Sequence, residues 1–191
     1  MKRLLLCIIA CMLTGYIQAQ FYKNLIPATH SSFTDSFAVI VNDYQHNFYH
    51  IQGEQLSANA DVDIYQSRKT IPGSSEPLLY RYHSTEDTTA SWQAILYKGE
   101  DYKEAVKAYK NAFRQVKKCQ VKINDLPVKF SGEMEEPSPT VRFTVSSLQT
   151  ENASAAYENF FAEVELTQVY MEWEVKLHLH SKKKDTSTKN Y

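Results

Sequence analysis

Glycine is scarce in this chain, with five in 191 residues, alongside six prolines and three cysteines. So little glycine leaves no backbone loop able to cradle a phosphate, and neither G-x-x-x-x-G-K-[ST] nor G-x-S-x-G occurs. Long apolar runs are also missing. The one unbroken run, Leu4 to Leu13, is ten residues, against the roughly 20 that a permanent membrane span requires. Charge of one sign is not in excess either: 21 Lys and Arg face 22 Asp and Glu, a formal net of −1. That balance gives nucleic acid nothing to hold.

The short apolar run has a meaning of its own. Lys2 and Arg3 precede it, Thr14 and Gly15 loosen its end, and Ile17-Gln18-Ala19 offers a small residue for cutting. This is the layout of a secretory signal peptide over 1–19, cleaved after Ala19. The expectation is export to a bacterial periplasm or the extracellular side, with no transmembrane anchor. The alternative is a lipoprotein held through Cys11, since Ile8-Ile9-Ala10-Cys11 loosely fits a lipid box. It is the weaker reading, because apolar residues continue past the cysteine through Met12 and Leu13. Cleavage removes Cys7 and Cys11, leaving Cys119 alone and no internal disulfide, and takes the net charge to −3.

What is present is amphipathic patterning. One helix is expected from about Asp35 to Gln52, with Gly53 as its left-handed C-cap and Ile40, Tyr44, Phe48 and Ile51 as its apolar stripe. A second is expected from about Tyr102 to Lys118, opened by Asp101 and Glu104 as a capping box, with lysines in its last turn and Ala105, Tyr109, Phe113 and Val116 as its stripe. Moving the first stripe by 65 residues superposes it on the second. Strand-like stretches follow each helix: "DVDIYQS", "LLYRYHS" and "SWQAILYKG" after the first, then "LPVKFSG", "TVRFTVSS", "NFFAEVELTQV" and "MEWEVKLHLHS" after the second. In the last, Trp173, Val175, Leu177 and Leu179 alternate with Glu172, Glu174, Lys176, His178 and His180, so one sheet face is buried and the other wet.

The fold class expected is therefore α+β: an antiparallel sheet with helices on one face, as two helix-plus-three-strand units and one extra C-terminal strand. It forms a single domain over 20–181, with halves at 33–97 and 98–181 and a disordered polar tail over 182–191. A gene duplication and a shared amphipathic pattern explain the halves equally well.

Chemistry is harder to find. On a helical wheel at about 100° per residue, Asp43, His46 and His50 fall near 300°, 240° and 280°, directed away from a core near 40°. They form one surface cluster that could hold a divalent metal, but Asn47 stands where a zincin has its glutamate, and a solvated polar face is the stronger reading. His178 and His180 share the wet strand face. Cys119 ends a helix, where the dipole opposes a thiolate. Glu133, Glu135 and Glu136 form an acidic loop without the fixed separation that paired-carboxylate catalysis needs. Tyr80, Tyr82, Trp92 and Tyr97 are the candidate ligand-binding residues, an aromatic platform on the open sheet face.

The functional expectation is an exported, non-catalytic binding or interaction domain whose partner is a protein or small ligand, with no nucleic acid and no cofactor. The alternative is an exported hydrolase with a site assembled across the fold. A shallow aromatic surface favours the first, and a pocket holding Asp, Glu or His of strongly shifted pKa favours the second.

Overall fold

The structure is a computed structural model and describes residues 32–83, 89–151 and 154–182. The signal peptide over 1–19, the lipid-box alternative at Cys11 and the tail from 183 onward lie outside the described residues.

Among the described residues, nine strands form one antiparallel sheet: β1 (Gln52–Ala58), β2 (Val62–Ser67), β3 (Ser75–Tyr82), β4 (Ala90–Gly99), β5 (Gln120–Ile123), β6 (Leu126–Ser131), β7 (Phe143–Glu151), β8 (Phe160–Val169) and β9 (Glu172–Ser181). Their order is β1-β2-β3-β4-β9-β8-β7-β6-β5. Two meanders start at opposite edges and meet at the centre, where β4 pairs with β9. Helix α1 (Phe33–Asp43) precedes the first meander and α2 (Tyr102–Lys118) the second. The α+β architecture is as the patterning implies. Each meander has one strand more than expected, and both extra strands, β1 and β5, are the outermost.

Residues of both helices join one core with the inward side chains of the strands, including Phe37, Ile40 and Val41 from α1 and Ala105, Tyr109, Phe113 and Val116 from α2. Both therefore cover the same sheet face. Helix α2 carries the chain from the centre to the far edge, touching β4, β9, β8, β7 and β6. Its 17 residues extend about 25 Å at 1.5 Å each, close to the ~24 Å spanned by five strand spacings of about 4.8 Å. Helix α1 starts beside β5, with Thr34 Oγ1 3.5 Å from Cys119 Sγ, and ends near β8, where Tyr44 packs on Phe160.

The first helix is shorter than its stripe suggests. Ser32 caps it, with Asp35 N donating to Ser32 Oγ (3.1 Å) and Ser32 N to Asp35 Oδ2 (3.2 Å), a capping box three residues before the expected start. A 3₁₀ turn (Tyr44–His46) follows, and then Asn47 and Phe48 take left-handed backbone at φ 53° and 56°. Asn, whose short side chain bonds locally, is among the residues that best tolerate this conformation. Here Asn47 Oδ1 accepts from Ala90 N at 2.7 Å, and its carbonyl accepts from Arg81 Nη2 at 3.0 Å. Phe48 and Ile51 are buried as the stripe demands, but beyond the helix. Gly53 is a strand residue rather than a C-cap: a Cβ there would lie 2.7 Å from the Gln66 carbonyl, at an irregularity in the β1–β2 pairing. At α2, Asp101 accepts from Lys103 N (2.7 Å) and Glu104 N (3.2 Å), a one-sided cap in which Glu104 turns instead to Lys107 at 3.3 Å.

Among the described residues no helix is long and apolar enough to cross a membrane.

Candidate functional site

The two-residue turn at Tyr170 and Met171, with Tyr170 left-handed at φ 56°, sets the register between β8 and β9. It places Glu163 opposite His178 and Glu165 opposite Lys176. These residues lie on the sheet face away from the helices, since Val164, Leu166, Val175 and Leu177 take the core side. Contacts then run diagonally, as a twisted antiparallel pair allows. His180 Nε2 meets Glu163 Oε2 at 2.8 Å, and His178 Nε2 lies 3.2 Å from Glu165 Oε2. Ser147 on β7 and Lys182 also bond Glu163 Oε1. Lys182 thus belongs to this network rather than to a free tail, and its amide donates to the Asn159 carbonyl at 2.9 Å.

The face is not simply wet. Side-chain exposure is 12% for Glu163, 18% for Glu165 and Lys176, and about 22–23% for the two histidines. An ionic ladder continues along it, with Lys176 Nζ and Lys98 Nζ each 3.0 Å from a Glu174 oxygen. Burial by itself would raise the Glu163 carboxyl, but hydrogen bonds from His180, Lys182 and Ser147 outweigh it and hold the group at about 2. Glu174 is likewise lowered: burial opposes ionisation, and Lys176 and Lys98 more than compensate. His178 Nε2 differs. It is buried and lies off the hydrogen-bonding line of Glu165, so it has no hydrogen-bond partner among the described residues.

Beside this ladder is a cleft of about 300 Å³, lined by Tyr82, Thr89, Ser91, Glu163, Glu165, His178, His180 and Ser181. The expected aromatic platform is split by the sheet. Ile64 pairs with Tyr80, Val62 with Tyr82, and Tyr80 with Ser91, so both tyrosines sit on the cleft's face. Trp92 pairs with Leu79 and Leu179 and is fully buried on the helix side, its Nε1 donating to Ser67 Oγ at 3.1 Å. Tyr97 follows a β4 irregularity that flips the alternation, pairs with Val175, and donates its hydroxyl to the Asp101 carbonyl at 3.2 Å. Of the four aromatics named from sequence, only Tyr82 lines the cleft. Glu163 and Glu165 are not among the candidates that spacing picks out; the alternation "AEVEL" across a two-residue turn from "KLHLH" is the signal for them.

Asp43, His46 and His50 do come together, for a different reason than helical spacing. Asp43 ends α1, and the left-handed turn at Asn47 and Phe48 brings His50 back over it. The Asp43 side chain is 8% exposed, not directed to solvent. The remaining candidates are structural. Burial pushes the Cys119 thiol up, partly offset by its bond to Thr34. The acidic loop is pinned rather than free: Glu135 N donates to Ser146 Oγ at 2.8 Å, the Tyr109 hydroxyl to the Glu135 carbonyl at 3.3 Å, and Lys110 pairs with Glu136.

The chain matches no protein-family model, no curated protein and no solved structure to a significant degree. The cleft's chemistry is therefore read from its own residues.

Proposed function

We propose that this is an exported binding domain that takes a small, neutral, polyhydroxylated ligand of the sugar class in the open-face cleft. One observation carries the reading: His178, whose buried Nε2 has no hydrogen-bond partner among the described residues although Glu165 Oε2 lies 3.2 Å away, lines a cleft shared with Glu165, Ser91, Ser181 and the partly exposed Tyr82. A buried polar atom left unpaired costs about 1–3 kcal/mol, and a ligand recovers it by supplying the missing bond as the imidazole turns towards the cleft. Hydroxyl groups suit such a lining, because each can donate to a carboxylate and accept from an imidazole or another hydroxyl. A charged ligand suits it less, since the glutamates already have cationic partners in Lys182 and Lys176. The tyrosine offers a flat apolar edge of the kind binding surfaces favour.

The hydrolase alternative draws on the same two glutamates and two histidines, and the feature expected of it, a pocket holding Glu and His with one strongly shifted carboxyl, is present, whereas the aromatic platform is not. Against it, Glu163 is occupied by three donors and held far below neutrality, whereas a general base needs a free lone pair and a pKa near the working pH. Calorimetric titration with glucose, galactose, mannose and N-acetylglucosamine tests the reading. Binding to at least one sugar, weakened about tenfold or more in Glu165→Gln and His178→Ala, is the expected result. Absence of sugar binding, together with turnover of aryl esters or glycosides that Glu163→Gln abolishes, would replace it with the hydrolase. Export rests on the leader pattern at 1–19 and predicts a mature protein beginning at Gln20 when the secreted form is N-terminally sequenced.

A further inference from the structure

A second cluster, on the helix side and sharing no residue with the cleft, departs from the expectation that no cofactor is bound. We infer that Asp43, His46 and His50 form a binding site for a divalent transition metal of the zinc class. The three offer one ligand atom each within 4.8 Å of one another. Both imidazoles present Nδ1 to the same oxygen, Asp43 Oδ1, at 3.6 Å from His46 and 2.6 Å from His50. A hydrogen-bonded His–Asp pair needs only one ring. Two rings aimed at one oxygen, with centroids 4.5 Å apart, converge on a common point instead.

The dimensions suit a metal. Ligand atoms at about 2.0–2.1 Å from a tetrahedral zinc lie about 3.3 Å from each other. The His46 to Asp43 separation is already close to this. The His50 to Asp43 contact must open by about 0.7 Å as a cation replaces the proton between them, and the two imidazole ligand atoms, within 4.8 Å, must close by up to about 1.5 Å, a movement open to two exposed rings. The support is built in as well. Asp43 Oδ2 accepts from Ile51 N at 3.1 Å, and the Asp43 carbonyl accepts from Phe48 N at 2.9 Å. The carboxylate is therefore oriented by backbone, as outer partners orient metal ligands. His46 and His50 are 49% and 64% exposed, and the cluster borders a depression of about 480 Å³ with Asn42 and Gln45 on its rim. A cation can enter from solvent and complete its shell with water. Two imidazoles and one carboxylate select a borderline ion such as zinc over calcium or magnesium.

The test uses the full chain stripped with EDTA and titrated with zinc chloride, with cobalt(II) absorbance as the readout of coordination. One equivalent of zinc is expected to bind with micromolar or tighter affinity. His46→Ala should weaken it about tenfold, and the His46→Ala, His50→Ala double variant about a hundredfold, with an unchanged urea midpoint showing that the variant is folded. His83→Ala, at a histidine elsewhere on the surface, should bind as the parent does. Failure to bind at 100-fold excess zinc, or equal affinity in parent and double variant, overturns the inference. Neither outcome bears on sugar binding at the cleft.

Discussion

Replacing Glu163 by Gln gives the sharpest physical test of the open-face network. The folded carboxyl sits at about 2 against an ordinary 4.5, a displacement equivalent to about 3 kcal/mol at 1.36 kcal/mol per unit. Because the folded value is the lower one, the contribution is complete well above the ordinary value and declines as pH falls from about 5 towards 2. A glutamine cannot titrate and so has nothing to lose over that range. Urea unfolding at pH 6, 5, 4, 3 and 2.5 should therefore show Glu163→Gln less stable by about 3 kcal/mol at pH 6. The gap should close to less than about 1 kcal/mol at pH 2.5, as the parent sheds its advantage. Working below pH 6 limits confusion with histidine titration. A gap that stays constant with pH would mean that Glu163 stabilises by packing and not as the ionised hub of the ladder.

Other positions give independent checks. Tyr157 is fully buried and donates to the Val41 carbonyl at 3.1 Å, so Tyr157→Phe should cost about 1–2 kcal/mol in denaturant unfolding. Tyr102 has the opposite problem, a buried hydroxyl with no hydrogen-bond partner among the described residues, and Tyr102→Phe should raise stability by about 0.5–1 kcal/mol; a loss would reveal a bonded hydroxyl. Asn47→Ala loses both left-handed tolerance and the bond to Ala90, an expected cost of about 2 kcal/mol. Asn47→Gly should cost less, because it restores the backbone freedom but not the bond.

The parts of the fold that could be read from sequence were those where burial imposes a period. β9 alternates Trp173, Val175, Leu177 and Leu179 against polar residues, and α2 repeats Ala105, Tyr109, Phe113 and Val116; both elements and their buried sides follow directly. The end of α1 was hidden because Phe48 and Ile51 remain at helical spacing and remain buried, although the chain has already turned at Asn47. Periodicity reports burial, and here a left-handed turn delivers the same burial without a helix. β1 and β5 escaped notice as edge strands: "QGEQLSA" is mostly exposed and "QVKI" is only four residues, so neither carries much apolar signal.

The site shows the same limits. Tyr80 and Tyr82 share a face because nothing interrupts β3 between them, while a single irregularity in β4 before Tyr97 reverses that residue. No local pattern announces such a slip. Glu163 acquires its character only from partners on β7 and β9, at Ser147, His180 and Lys182, which pairing register brings together and residue spacing alone does not.

The most direct measurement is amide NMR of the isotopically labelled protein during titration with the best-binding sugar. Shifts are expected to concentrate at Tyr82, Ser91, Glu165, His178 and Ser181, with α1 and α2 unmoved. Shifts clustered elsewhere, or none at all sugar concentrations that calorimetry reaches, would contradict the assignment of the open-face cleft as the binding site.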